Sequence, residues 1–449
     1  MQFQLTSDFI EQIAQLIAKK DGNALRKLLQ EFHFADIAEL IEELKSDQAT
    51  YLVKQLESDL TSEALMELDD DVREKILERL SPKEIAAELQ ELDTDDAADI
   101  IGELDETIQQ KVIDKIEDQE RAADIVELLN YDEDTAGALM AKELVQVKET
   151  WTVAGCVREM RRQAENVTRV HSIYVTNKEG QLTGRLSLKD LLTAEAKTKI
   201  SDVFIPKVDY VTVHTENEEV ARIMQKYDLE AIPVVDDKGI LVGRITIDDI
   251  VDFIKDEAEK DYQMAAGISQ DVEADDSIID LTKARLPWLV LGLLGGLGSV
   301  YIMRGYDEAL ATHVELFFFT PLIAAMAGNV GVQSSAIIVQ GLANDNVKGS
   351  LFKRLLKEVG LALINGLALG VLVILFGALT QMDQQVAFTI AISMLLVIIV
   401  AALVGTFVPI ILDKKGIDPA IATGPFITTS NDIFGIFLFF FIAKIILNF

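Results

Sequence analysis

The chain has 449 residues, a formal net charge of −33 at pH 7, 49% hydrophobic residues, four histidines and one cysteine. A field this acidic repels nucleic acid and attracts cations, so nucleic acid is excluded as a partner. Cys156 has no second cysteine to pair with and reads as a small buried packing residue, while His33, His171, His214 and His313 fall in no ligand or triad pattern, so neither zinc or copper binding nor an enzyme is expected.

Met1 to Asp8 offers no basic region followed by a long apolar run, so no signal peptide is expected and the first 285 residues are expected in the cytosol. Up to about Tyr131 the chain is nearly free of proline, and apolar residues recur at helical spacing, as in Ile37, Leu40, Ile41 and Leu44. Three segments, Phe34 to Leu44, Ser81 to Leu92 and Thr94 to Leu104, are variants of one short helix opened by a polar or proline cap. Repeats of this kind stack on shared cores, so residues 1–131 are expected to form an acidic α-helical solenoid.

From 132 to 252 the period changes to β-branched runs, Ser172 to Thr176 and Ile232 to Val235, each followed by a glycine turn and a helical segment. The two copies, Gln181-Leu-Thr-Gly-Arg-Leu-Ser-Leu-Lys-Asp-Leu191 and Ile240-Leu-Val-Gly-Arg-Ile-Thr-Ile-Asp-Asp-Ile250, keep identical separations. This pattern resembles a tandem pair of CBS domains, α/β regulatory modules whose copies pack together. Ser187 and Asp190 in one copy, and Thr246 and Asp249 in the other, are similar to a segment that binds adenosine ribose in some CBS proteins, which makes ATP a candidate ligand. Helix capping explains the same letters without a nucleotide.

Residues 253–284 read as an acidic connecting helix. Asp249, Asp252, Asp256, Glu257 and Asp261 include pairs three and four apart, so several share one helical face and repel unless a cation lies between them. The helical repeats offer a matching acidic run in Asp93, Asp95, Asp96 and Asp99. Hard divalent ions such as Mg2+ take oxygen ligands of this kind.

Residues 285–449 carry five apolar runs, Leu286–Tyr301, Val314–Gln340, Val359–Leu379, Val386–Leu412 and Ile421–Ile446, long enough to form a five-helix domain in a lipid bilayer. Pro287 and Trp288 suit a helix start and an interfacial anchor. Lys283 and Arg285 precede the first run, Lys348, Lys353, Arg354 and Lys357 follow the second, and Lys414 and Lys415 follow the fourth. The positive-inside rule then places the N-terminal portion in the cytoplasm and the C-terminus outside a cell membrane. From Leu286 onward there are 8 Lys/Arg against 9 Asp/Glu, leaving 33 against 65 before it, so the acid surplus is almost all cytoplasmic. Asp432 sits near the middle of the fifth run. An ionised carboxylate there costs roughly 2.5–3.5 kcal/mol on insertion scales, and such residues commonly mark an ion path.

The order of parts resembles the MgtE family of magnesium transporters and channels. The resemblance covers essentially the whole chain and rests most specifically on Pro321-Leu-Ile-Ala-Ala-Met-Ala-Gly-Asn329-Val-Gly-Val-Gln333-Ser-Ser and on Asp418-Pro-Ala-Ile-Ala-Thr-Gly-Pro425-Phe-Ile-Thr-Thr-Ser-Asn-Asp432. It implies a homodimer with a pore on the two-fold axis, hydrated Mg2+ held at Asp432 with Asn329 contributing, and Gln333 and Asp418 as further pore candidates. It also implies that cytosolic Mg2+ bridges Asp93, Asp95, Asp96, Asp99, Asp249, Asp252, Glu257 and Asp261, closing the pore through a plug formed by the connecting helix. Two alternatives stay open: a membrane-anchored metal or nucleotide sensor, and transport of Co2+, Mn2+ or Ni2+.

Overall fold

The computed structural model describes residues 5–164, 167, 169–270, 272, 276–343, 347 and 349–448. Asp271 in the connector and Lys348 in a basic loop lie outside the described residues. The chain divides into two compact units, Met1–Ile254 and Lys255–Phe449.

The first unit opens with short helices: α1 (Ser7–Ala18), α2 (Gly22–Leu29), α3 (Phe34–Glu42), α4 (Ser46–Val53), α5 (Ser58–Met66), α6 (Asp70–Leu77), α7 (Pro82–Leu89), α8 (Thr94–Gly102), α9 (Glu106–Ile113) and α10 (Gln119–Leu128). Local chemistry sets their starts. Before α7 the Ser81 hydroxyl accepts from Glu84 N, the Glu84 carboxylate accepts from Ser81 N, and Pro82 takes the first helical position. His33, which falls in no ligand or triad pattern, caps α3 by accepting from Ala35 N at 3.3 Å. Alternate helices pack on each other, α3 on α5, α5 on α7 and α8 on α10, which is the stacking expected of a solenoid.

Two small sheets follow, with helices α11 (Val153–Gln163), α12 (Leu188–Thr193) and α13 (Asn217–Tyr227) between their strands. In one, β1 (Val145–Lys148) runs parallel to β2 (Ile173–Thr176), with β3 (Leu182–Leu186) and β4 (Ile205–Pro206) antiparallel beyond it. The other repeats the pattern with β5 (Val211–Thr212), β6 (Ala231–Val235) and β7 (Leu241–Thr246). The internal repeat extends to the register: Val175 pairs with Gly184 and Val234 with Gly243, with an irregularity after each valine. Both glycines are needed because a Cβ at Gly184 would strike the Ile205 carbonyl and one at Gly243 would lie 2.8 Å from Ala141 O. Leu182 N donates to Gly239 O and Leu241 N to Gly180 O, tying the two copies together at equivalent turns. Cys156 is buried in the core of the first copy, as its sequence context predicts. The second copy instead shares one continuous hydrophobic core with the helical repeats.

Helix α14 (Ile247–Ala265) starts directly from β7 and runs through Ile254 into the second unit. It ends at a turn where Gly267 has φ +81°, a conformation that favours glycine. The membrane unit continues as α15 (Ile278–Arg304), α16 (Asp307–Thr312), α17 (Val314–Ala343), α18 (Leu351–Leu379), α19 (Gln384–Asp413), a 3₁₀ turn (Pro419–Ala422) and α20 (Pro425–Leu447). Five of these helices are long and apolar enough to cross a membrane. α19 packs against α17, α18 and α20 and forms the centre of the bundle.

Two boundaries differ from the sequence reading. The helix of the first span begins at Ile278, so Pro287 lies inside it; the Ser277 cap on Asp280 N and the Asp280–Lys283 ion pair at 2.8 Å stabilise a polar first turn that hydropathy does not register. The fifth apolar run is broken before Gly424–Pro425, and Pro425 opens a helix of 23 residues. Asp432 is therefore eighth from that helix's start, not near the middle of an unbroken span.

Candidate intramembrane cation site and N-terminal carboxylate cluster

The break at Gly424 and the two turns after it set the position of Asp432. A Cβ built on Gly328 of α17 would lie 3.4 Å from Asp432 Oδ1 and 3.2 Å from Thr428 Cγ2, so the carboxylate rests against α17 backbone. One α17 turn further on, Gly331 leaves room for the amide of Asn431, and Gly405 of α19 in turn lies against the Gly331 carbonyl. Three helices thus meet at near backbone contact, which only glycine permits. Asn431 is 1% exposed, and neither its Oδ1 nor its Nδ2 has a hydrogen-bond partner among the described residues. The sequence motif contains Asn431, but the next residue, an acid in an apolar run, carried the signal instead.

Asn329 and Gln333, one turn apart on α17, are both exposed on the single chain, and Asp432, which rests on Gly328, is partly exposed. Asp418 is used structurally, its Oδ1 accepting from Ala420 N at 2.7 Å to cap the 3₁₀ turn. A carboxylate that sequence reading did not single out, Glu358 of α18, accepts a 2.6 Å hydrogen bond from Ser334 of α17. At the start of α20, Gly424 comes close to the last turn of α14: a Cβ there would stand 2.5 Å from Ala265 O, and one on Gly267 would strike the Pro425 ring. The end of the connecting helix is packed onto the helix that carries Asp432.

In the first unit, α8 presents Asp95, Asp96 and Asp99 close to Asp249 at the start of α14. Asp95 is buried, and burial followed by the charges of Asp96 and Asp249 holds its carboxyl well above the usual carboxylate range. Burial, with Asp249 and Asp99 adding, pushes Asp96 up to about 8. Asp249 is also raised by burial, although it accepts from both the hydroxyl and the amide of Thr246, which lower it. Asp93 lies at the edge of this group and is ion-paired to the buried Arg244 at 2.8 Å. Arg244 also donates to Glu143 O, and Glu143 in turn binds Thr94 and Arg121. Neither Arg244 nor Glu143 was legible as a site residue, yet together they fix α8 against the second CBS copy. Asp252 is exposed, Glu257 pairs with Lys260 at 3.3 Å, and Asp261 lies about two and a half turns beyond Asp252 on α14. Among the described residues no three His, Cys, Asp or Glu side chains converge as a ready-made ligand set. The cluster is a set of crowded carboxylates that a cation would relieve.

The two nucleotide candidates are engaged as helix caps. Ser187 Oγ accepts from Asp190 N at 3.0 Å and donates to Asp190 Oδ2 at 2.7 Å; Thr246 Oγ1 donates to Asp249 Oδ2 at 2.7 Å.

Fold and sites together define a polytopic membrane protein with a partly exposed carboxylate on one of its apolar helices and a CBS-containing acidic module N-terminal to them in sequence. Residues 320–442 match the family model of the MgtE divalent cation transporter, 32–134 that of the MgtE intracellular N domain, and 136–197 and 200–256 that of the CBS domain. The chain is 36% identical to the magnesium transporter MgtE of Bacillus subtilis, over 70% of each chain, and 35% identical to that of Thermus thermophilus over 72% of each. It also resembles the crystal structure of the cytosolic domain of the Mg2+ channel MgtE in complex with ATP, at 36% identity and a TM-score of 0.52, covering 54% of this chain and 99% of that one. The chain belongs to the MgtE family of divalent cation transporters.

Proposed function

We propose that this chain carries Mg2+ across the cell membrane along a path that passes Asp432, and that cytosolic Mg2+ closes the path. The observation that carries the reading is Asp432 against the Gly328 backbone of α17, the helix on which the next residue, Asn329, and Gln333 one turn further are both exposed. Amides on a membrane-spanning helix do not face lipid without loss, because hydrocarbon satisfies none of their donors and acceptors. A polar path between two copies of the chain satisfies them, with Asp432 from each copy facing the ion. Mg2+ sheds water reluctantly, so the ion is read at Asp432 with most of its hydration shell retained. The asymmetry of Lys and Arg supports a cytoplasmic N-terminus.

Regulation follows from the carboxylates at Asp95, Asp96, Asp99 and Asp249. A divalent ion there offsets their mutual repulsion and fixes α8 to the start of α14, with Asp93 held by Arg244 at the margin. Asp252, Glu257 and Asp261 supply further weak sites along α14. Because α14 ends on Gly424 and Pro425, fixing it restrains α20 and closes the path. ATP at Ser187, Asp190, Thr246 and Asp249 would use carboxylates already oriented by their capping hydroxyls.

The test is Mg2+ flux into proteoliposomes while Mg2+ is varied on the side of the soluble part. Flux that falls as that Mg2+ rises supports the reading. A folded protein with no flux under any condition favours the sensor alternative, and flux of Co2+ or Mn2+ without Mg2+ assigns another ion.

A further inference from the structure

Within the second unit, the last half of α14, Ile268 just beyond it and the first turns of α15 border an open-sided cavity of about 500 Å³ lined by Lys255, Glu259, Tyr262, Ile268, Leu281 and Arg285, among others. Its walls are built by regular spacing: Lys255, Glu259 and Tyr262 fall on one face of α14, and Leu281 and Arg285 are four apart on α15. Ser269 and Val272, which follow α14, are each held by hydrogen bonds to the helices. Gln263 Nε2 donates to Val272 O at 3.1 Å, Val272 N donates back to Gln263 Oε1 at 3.2 Å, and Ser269 donates to Ala284 O through both its amide and its hydroxyl.

The chemistry of the lining is amphipathic. Ile268 and Leu281 give apolar walls, while among the described lining residues Lys255 and Arg285 bring two cations against the one carboxylate of Glu259. Nearby basic residues are spoken for, Lys260 by Glu257 and Lys283 by Asp280. Lys255 and Arg285 form no ion pair among the described residues, although they stand in the acidic portion of the chain. Arg285 directly precedes Leu286, where the apolar run of the first span begins, and Leu286, Leu289 and Leu293 are exposed on the outside of that helix. Tyr262, 78% exposed at the cavity, is the aromatic type that favours the level of lipid headgroups. A ligand that fits must carry a negative charge at one end and hydrocarbon at the other, at the depth where headgroup gives way to acyl chain.

We propose that this cavity holds the headgroup of one anionic phospholipid from the membrane leaflet on the side of the soluble part. The phosphate sits between Lys255 and Arg285, as basic pockets beside membrane helices bind acidic headgroups. The glycerol and first methylenes lie on Ile268 and Leu281. The volume suits a headgroup, falling in the usual range of about 300–1,000 Å³ for small-molecule sites, and leaves the acyl chains on the outer face of α15. A lipid bound here touches α14 and α15 at once, and so fixes the connecting helix to the membrane edge. Lipid binding is independent of which ion the bundle carries.

The experiment uses the full chain in nanodiscs of phosphatidylcholine, titrated with phosphatidylglycerol, with retained lipid read by native mass spectrometry. The wild-type chain is expected to retain phosphatidylglycerol in preference to phosphatidylcholine. In the double variant Lys255→Gln/Arg285→Gln, loss of two phosphate contacts is expected to weaken retention by about thirtyfold. Lys255→Arg/Arg285→Lys, which keeps both charges, should retain it. Ala258 also lines the cavity, and Ala258→Trp, which fills it and leaves the cations in place, should lose it. Equal retention by the Gln variant, equal retention of the two lipids by the wild type, or displacement by inorganic phosphate alone would each overturn the proposal. So would efficient disulfide crosslinking of two copies through Tyr262→Cys, which would show that a second chain covers the cavity.

Discussion

At the scale of single residues, the interior carboxylates divide by what surrounds them. Asp432 lies against glycine backbone with no cation from the described chain paired to it, so its charge is available to an ion. Replacing a charged ligand by a neutral isostere loses about 1.5–3 kcal/mol per contact, so Asp432→Asn should lower Mg2+ flux by roughly 10- to 100-fold in proteoliposomes while the protein elutes unchanged on size exclusion. Unaltered flux would remove Asp432 from the path. Glu88 of α7 shows the opposite case, a buried carboxyl that accepts from Thr61 Oγ1 at 2.6 Å and is pushed up to about 7 by burial. Its folded form holds a proton more tightly than the unfolded chain does. Its contribution to stability is therefore present below the ordinary carboxylate value and is lost as pH rises through about 7. Glu88→Gln should make thermal unfolding of the helical repeats less sensitive to pH between these limits and stabilise them at pH 8 by about 1–3 kcal/mol. A variant whose melting temperature follows the wild type across that range would contradict this.

At the scale of elements, the bundle is organised by glycines on facing helices. Gly331 of α17 accepts both the Asn431 amide and the close approach of Gly405. Gly331→Ala should cost about 1–3 kcal/mol by overpacking, and Asn431→Ala should recover part of that loss by removing the group it strikes. Equal destabilisation in both backgrounds, measured by thermal unfolding in detergent, would place the strain elsewhere. Gly267 is constrained twice, by φ +81° and by the Pro425 ring. Gly267→Ala should therefore disturb the seat of α14 on α20 and shift the Mg2+ concentration that halves flux; an unchanged inhibition curve would show that this contact does not transmit gating.

At the scale of the whole molecule, acid is concentrated before Leu286 and the five long apolar helices lie in the second unit. If Mg2+ binds the folded carboxylate cluster and not the unfolded chain, it must stabilise the first unit in proportion to its concentration. Chelating Mg2+ should lower the temperature of its unfolding and raise its proteolysis. Asp95→Asn/Asp96→Asn should raise stability without Mg2+, since burial and mutual repulsion are relieved, and should abolish the increment that Mg2+ gives. A full Mg2+ increment in that variant, read by differential scanning fluorimetry, would locate the regulatory ions elsewhere.

The sequence by itself determined what depends on local pattern. Helical periodicity and capping residues marked the short helices, the repeated glycine and hydroxyl positions marked the two CBS copies, and long apolar runs marked five spans, because each of these signals is carried by neighbours along the chain. An acid in an apolar run drew attention to Asp432 for the same reason. The tertiary structure decided what depends on residues far apart in sequence. It showed Arg244 pairing with Asp93 across about 150 residues, the second CBS copy sharing its core with the helical repeats, and Asn431 and Asp432 resting on glycines of α17. It also moved the start of the fifth helix to Pro425, since hydropathy sums side chains and does not register where Gly424 and Pro425 interrupt the backbone.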